Sequence, residues 1–194
     1  MLVDCESPRF QQLKVLRLKQ TFRKLRRLLH NQTGDIASDS YHQFDEDLKL
    51  IKELGLSHYR FSIAWSRIFP SGKKESGPVS EAVEYYNAVI DKLLGANVTP
   101  MITLYHWDLP QELQTEFGGF NDSQIQDHFE DYAEFCFVEF GDRVRHWFTF
   151  NEPYVYCTLG HGVGSAAPGV FEPRSGPYSC GHNMLLSHAK AYAK

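Results

Sequence analysis

Three short stretches hold the residue types from which an active site could be made. Asn151-Glu152-Pro153 sets a carboxamide beside a carboxyl group, and Tyr105-His106-Trp107-Asp108 adds an imidazole, an indole and a second carboxyl. The third is an aromatic run with Arg60 near its start and Trp65-Ser66-Arg67 at its end. Together these groups suit sugar chemistry. An indole offers an apolar face to a pyranose ring, while amide and imidazole groups hydrogen-bond hydroxyls. A carboxylic acid sheltered among aromatic rings holds its proton more readily than one in water, and can pass it to a leaving oxygen. Singly, each residue has a plainer explanation in packing or solvation. Only their grouping points to chemistry.

The elements that must position them are a repeated helix-then-strand module. Phe44, Leu48 and Ile51 fall at helical spacing and stop at Gly55; Val83, Tyr86, Ile90 and Leu93 do the same and stop at Gly95. A third helix, opening near Asn121 or Asp122, carries Ile125, Phe129, Tyr132, Cys136 and Phe140 and ends at Gly141. Each stop is followed by a strand-like run, His58–Trp65, Pro100–His106 and His146–Asn151, rich in aromatic and β-branched residues. Their apolar character predicts strands covered on both faces. Alternation with helices predicts parallel pairing, an α/β fold, and leaves open sheet and closed barrel equally possible. The candidate groups then sit at the strand ends, where α/β proteins build their sites. Pro153 disfavours helical geometry in the residue before it, so Glu152 is expected at an extended strand tip. Residues 71–80 and 152–180 read as loops, and a last helix is expected from about Gly181 to Lys194.

Composition removes several alternatives. The 194 residues are 42% hydrophobic and 23% charged, which fits one globular domain. No run approaches the roughly 18 apolar residues of a membrane span. Residues 1–30 hold eight Lys/Arg against two Asp/Glu, and the rest holds twelve against twenty-two. An acidic body does not suit nucleic acid. Val15, Leu18, Phe22, Leu25 and Leu29 give the basic segment 1–30 an amphipathic face. A membrane surface or a protein partner would suit that face, but an appended segment without a partner is the simpler reading. Cys5, Cys136, Cys157 and Cys180 form no Cys-x-x-Cys pair and are expected as buried thiols. The nine His show no metal-ligand spacing, and Gly160, Gly162 and Gly164 lack the spacing of a dinucleotide loop. Asn31-Gln-Thr33 and Asn97-Val-Thr99 have the form of glycan acceptors, although no signal peptide is visible ahead of them, which leaves the location open.

The motifs resemble a known family. Thr149-Phe-Asn-Glu-Pro153 is similar to the acid/base signature of the family-one glycoside hydrolases, the β-glucosidase, lactase and klotho-like group. The likeness extends to Asn31–His42, Tyr59–Arg67, Thr103–Pro110 and Phe140–Val144, and covers essentially all of residues 31–194. It implies a partial (β/α)8 TIM barrel, roughly its second to fourth strands with their helices, and a retaining mechanism without a cofactor. Glu152 would be the general acid and then the base, and Asn151 would hold the sugar 2-hydroxyl. His106 and Trp107 would bind the glycone, and Arg60 would orient the nucleophilic carboxylate. Residues 1–30 do not resemble the family, Ser71–Val83 fits it loosely, and the second half of the barrel with its Glu nucleophile is missing from these residues. The sequence is thus expected to be an acid/base-bearing fragment of a β-glycosidase. The alternatives are a non-catalytic klotho-like binding protein and an interaction protein acting through the basic segment.

Overall fold

The computed structural model describes residues 37–194. The basic amphipathic segment, Cys5 and Asn31 lie outside the described residues. Within them the order is α1 (Ser40–Glu53), β1 (His58–Ser62), α2 (Trp65–Ile68), α3 (Ser80–Gly95), β2 (Thr99–Tyr105), α4 (Gln111–Phe117), α5 (Ile125–Phe140), β3 (His146–Phe150), α6 (Pro153–Tyr156) and α7 (Gly176–Tyr192). The strands form one sheet, β1-β2-β3, parallel throughout, with Phe61 opposite Ile102 and Ile102 opposite Trp147.

The helices form where apolar residues recur at three- and four-residue spacing. Phe44 and Ile51 of α1, Tyr86, Ile90 and Leu93 of α3, and Phe129, Tyr132, Cys136 and Phe140 of α5 are all buried. Gly55 ends α1 in a left-handed conformation (φ +67°), and the Leu56 N–H donates back to the Ile51 carbonyl at 3.1 Å. That geometry is cheap for glycine alone.

Period-two alternation divides the sheet into two faces. Phe61, Ile102 and Trp147 share the face that meets the helices, where Trp147 lies edge-on to Phe137 of α5 with centroids 5.0 Å apart. Arg60, Thr103 and Phe148 share the other. Only β2 is buried along most of its length; β1 and β3 are largely half-buried or exposed, because neither has a neighbour on its far edge among the described residues. The expected covering of both faces therefore holds for the central strand only.

Four further expectations change. The first strand stops at Ser62, and Trp65-Ser66-Arg67 belong to α2, with Trp65 and Arg67 buried. Trp65 finds a better surface there than at a rim, stacked on Tyr132 (5.0 Å, 6° between planes) and edge-on to Phe129. Residues 152–180 are not a plain loop but contain α6, a π-helical turn (Cys157–Gly162), a bridge between Val163 and Phe171, and the start of α7 five residues before Gly181. Cys157 and Cys180 are not thiols but a disulfide, with Cα atoms 5.6 Å apart, while Cys136 is a free, buried thiol. The pair lies 23 residues apart in sequence and meets only because the π turn packs on α7, which no local spacing reveals. The last change concerns Glu152 and is taken up with the site.

The glycines of this region allow close packing. A Cβ at Gly176 would stand 1.9 Å from the His161 carbonyl oxygen, and one at Gly160 would stand 2.6 Å from that of Ala167. No side chain fits at Gly176 without parting the π turn from α7.

Candidate active site

Parallel pairing brings the carboxyl ends of β2 and β3 together. Tyr105 stands opposite Phe150, and the Asn151 N–H donates to the Tyr105 carbonyl at 2.9 Å, extending the ladder by one residue. His106 and Trp107 follow β2 directly, and Asn151 and Glu152 follow β3. The four residues occupy one rim of the sheet.

Asn151 is the most tightly held of them. Its side chain is buried, its Oδ1 accepts from Arg60 Nη2 at 2.9 Å, and its backbone carbonyl accepts from the Trp107 indole N–H at 2.9 Å. Arg60 also donates through Nε to Thr103 Oγ1 at 2.8 Å, and its guanidinium lies 4.8 Å above the centre of the Phe148 ring. One arginine thus ties all three strands together on the face away from the helices. Two oxygens of Asn151 are fixed from two neighbouring strands, so its free amide hydrogens point in a defined direction.

The backbone around this cluster is bent in an unusual way. Trp107 (φ +70°) and Glu152 (φ +46°) are both left-handed, a conformation that costs a non-glycine residue of order 1–2 kcal/mol. The extended Glu152 expected from Pro153 is therefore not found. Proline occupies the first position of α6, where its missing N–H costs nothing. The chain must pass from strand to helix within one residue, and the Tyr156 N–H closes the first turn on the Glu152 carbonyl at 2.9 Å. The left-handed kink makes that reversal. The Glu152 side chain is exposed rather than enclosed by aromatic rings.

His106 is half-buried, and its backbone N–H donates to Asp108 Oδ1 at 3.3 Å. Burial lowers its pKa; the carboxylates of Asp108 and Glu152 oppose the shift and the Arg60 guanidinium adds to it. A neutral imidazole results near pH 7, able to donate at one nitrogen and accept at the other. Beneath the rim, Tyr156 packs against Trp107 and Tyr105 with centroids 6.1 and 5.5 Å away. His161, fully buried, leans on Tyr156 from behind, and burial drives its pKa down to about 4. Among the described residues no cluster of three or more His, Cys, Asp or Glu could hold a metal ion, and no helix is long and apolar enough to cross a membrane.

Sequence reasoning missed Thr103, Phe148 and Tyr156 as supports of the rim. Thr103 carried a signal: a hydroxyl in the middle of an otherwise apolar strand, buried to 1% exposure, requires a partner. Phe148 and Tyr156 carried none beyond being aromatic.

The family model for glycosyl hydrolase family 1 matches residues 17–194, starting inside the basic segment. This chain belongs to that family. It is 51% identical over 167 residues to the cytosolic β-glucosidase of Cavia porcellus, covering 86% of this chain and 35% of that protein. It is also 51% identical over 162 residues to the lactase/phlorizin hydrolase of Homo sapiens, covering 84% of this chain and 8% of the relative. Among solved structures, a rice β-glucosidase superposes with a TM-score of 0.79 at 44% identity, over 84% of this chain and 36% of its own. An aphid myrosinase does so with a TM-score of 0.85 at 42% identity, over 91% and 37%. The family 1 chain thus spans about a third of most of these relatives, and its sheet is part of a (β/α)8 barrel. The enzyme names of these relatives lend no support to the klotho-like alternative.

Proposed function

We propose that this family 1 chain carries the proton-transfer half of a retaining β-glycosidase that cleaves O-glycosyl bonds of β-glucoside-like substrates. Glu152 protonates the departing glycosidic oxygen and then deprotonates the water that releases the sugar. Asn151 binds the 2-hydroxyl, where a contact strengthens as the ring flattens toward the transition state. His106 and Trp107 hold the glycone, one by hydrogen bonds to hydroxyls and the other through its apolar face. Arg60 presents positive charge to the nucleophilic carboxylate that the rest of the barrel contributes. On this reading residues 31–194 are an incomplete barrel and residues 1–30 a separate basic segment.

The observation that carries the proposal is the Asn151 anchorage by Arg60 and Trp107, with Glu152 adjoining on the same rim. A carboxamide whose oxygen is held by Arg60, on a backbone carbonyl held by Trp107, is suited to reading one hydroxyl. The exposed Glu152 has room on its open side for a sugar and a second carboxylate, which in retaining enzymes stands roughly 5–5.5 Å away.

The test uses the full-length protein that contains this chain. Glu152→Gln abolishes cleavage of natural disaccharides but spares the glycosylation step for aryl glucosides with activated leaving groups, which need little acid help. Added azide restores turnover and yields a β-glycosyl azide. The 194 residues alone do not turn over aryl β-glucosides. Unchanged disaccharide hydrolysis by Glu152→Gln would show that another residue moves the proton.

A further inference from the structure

Arg60 does not lie beside the residue it anchors. On the face of the sheet away from the helices it occupies the row of Met101 and His146, and Thr103 and Phe148 share the next row toward the rim. Asn151 stands beyond both, past the end of β3. The Arg60 side chain must therefore extend along the sheet to deliver Nη2 to the Asn151 Oδ1 at 2.9 Å. A side chain this long has many rotamers, and the entropy of that freedom opposes any single pose. Contacts in the intervening row have to select one.

The two contacts there act differently. The Phe148 ring holds the guanidinium over its face, with the central carbon 4.8 Å from the ring centre. Attraction to a ring face leaves the cation free to turn about the axis through the ring. The hydrogen bond from Arg60 Nε to Thr103 Oγ1, at 2.8 Å, is directional and removes that freedom. Thr103 is buried, and its β-branched side chain has few rotamers, so its oxygen is a fixed point. With Nε pinned there, Nη2 is aimed at Asn151. The Asn151 Oδ1 is then occupied, and the amide cannot turn over without losing that bond. Its Nδ2 hydrogens are what the rim presents.

We infer that Thr103 is a positioning residue for sugar recognition: through Arg60 and Asn151 it fixes a hydrogen-bond donor on the rim for the 2-hydroxyl oxygen of the glycone. This role rests on the one proposed for Asn151 and adds a direction to it, with the donor on the protein and the acceptor on the sugar. The 2-hydroxyl keeps its own proton for another partner. Thr103 acts at one remove, so its effect is confined to sugars that carry this hydroxyl.

The test compares aryl β-glucosides with their 2-deoxy counterparts, using the full-length protein that contains this chain. The two sugars differ in intrinsic reactivity, but that difference cancels when variants are compared. Asn151→Ala is the reference, and should abolish the preference for the 2-hydroxyl. Thr103→Val keeps the shape of the side chain and loses the acceptor. It is expected to lower kcat/KM for the glucoside by about tenfold relative to the 2-deoxyglucoside, the order of one hydrogen bond. Thr103→Ser keeps the hydroxyl and the parent preference. Thr103→Val added to Asn151→Ala lowers the preference no further. Equal losses on both sugars, or no loss, overturn the role of Thr103 and leave that of Asn151 standing. A preference that survives Asn151→Ala overturns the reading of Asn151 and the role of Thr103 with it. A second measurement needs no substrate. In the 15N-labelled 194-residue chain, water exchange of the Arg60 Nε–H, assigned through Arg60→Lys, is slow in the parent and Thr103→Ser and fast in Thr103→Val. Equal exchange in all three overturns the inference whatever the kinetics show.

Discussion

On the side of the sheet that meets the helices, Phe61 and Ile102 lie beneath a closed aromatic layer in which Trp65, Phe129 and Tyr132 are fully buried. On the other side, Arg60, Thr103 and Phe148 form a cluster joined by hydrogen bonds and a cation–ring contact, with Phe148 still 38% exposed. The same three strands supply both faces. Removing a side chain from the closed face leaves a hole that nothing fills. On the open face, water and, on the proposed reading, substrate take up whatever is vacated. The closed face should therefore determine whether the chain folds, and the open face what it binds.

The largest effect that would test this division comes from Trp65→Ala. Loss of the indole from its stack on Tyr132 should destabilise the chain by about 3–5 kcal/mol, read as a lower urea midpoint. A loss below about 1 kcal/mol would mean that the layer is not close-packed. His161 gives an intermediate effect, which depends on pH. Its folded pKa of about 4 lies below the unfolded value of 6.5, so the unfolded chain binds the proton more readily. The stability from the neutral ring is complete above pH 6.5 and lost as pH falls through 4, to a ceiling of about 3 kcal/mol. Urea titrations at pH 7 and pH 4 should therefore differ less for His161→Leu than for the parent chain. Equal differences would indicate that the ring is hydrated. The smallest effect belongs to Arg60→Met. Arg60 is itself exposed, so its removal opens Thr103 and Asn151 to water, and the stability cost should be about 1 kcal/mol or less. A cost near that of Trp65→Ala would erase the distinction between the faces.

What the sequence made legible follows from how local each feature is. Helices α1, α3 and α5 repeat apolar residues at the helical period and end at glycines, and β2 is a continuous apolar run, so their positions and parallel order could be read directly. The rim residues His106, Trp107, Asn151 and Glu152 were legible because each follows a strand. Trp65 was misplaced because its partners, Tyr132 and Phe129, lie more than sixty residues downstream. The Glu152 backbone was misread for a similar reason. Pro153 alone favours an extended neighbour, but the short helix that follows demands a reversal, and the helix outweighs the dipeptide preference. The disulfide depended on the π turn, which periodicity does not encode.

That disulfide also bears on how the chain responds to being cut. Glu172, Pro173, Arg174 and Ser175 are exposed between the two half-cystines, and Arg174 offers trypsin a site there. A chain cleaved after Arg174 would keep α7 covalently tied to the segment carrying Glu152, and the two pieces would separate only on reduction. The nicked molecule would run as one band without thiol and as two with it, so a break in this covalent path need not remove the helix that backs the rim.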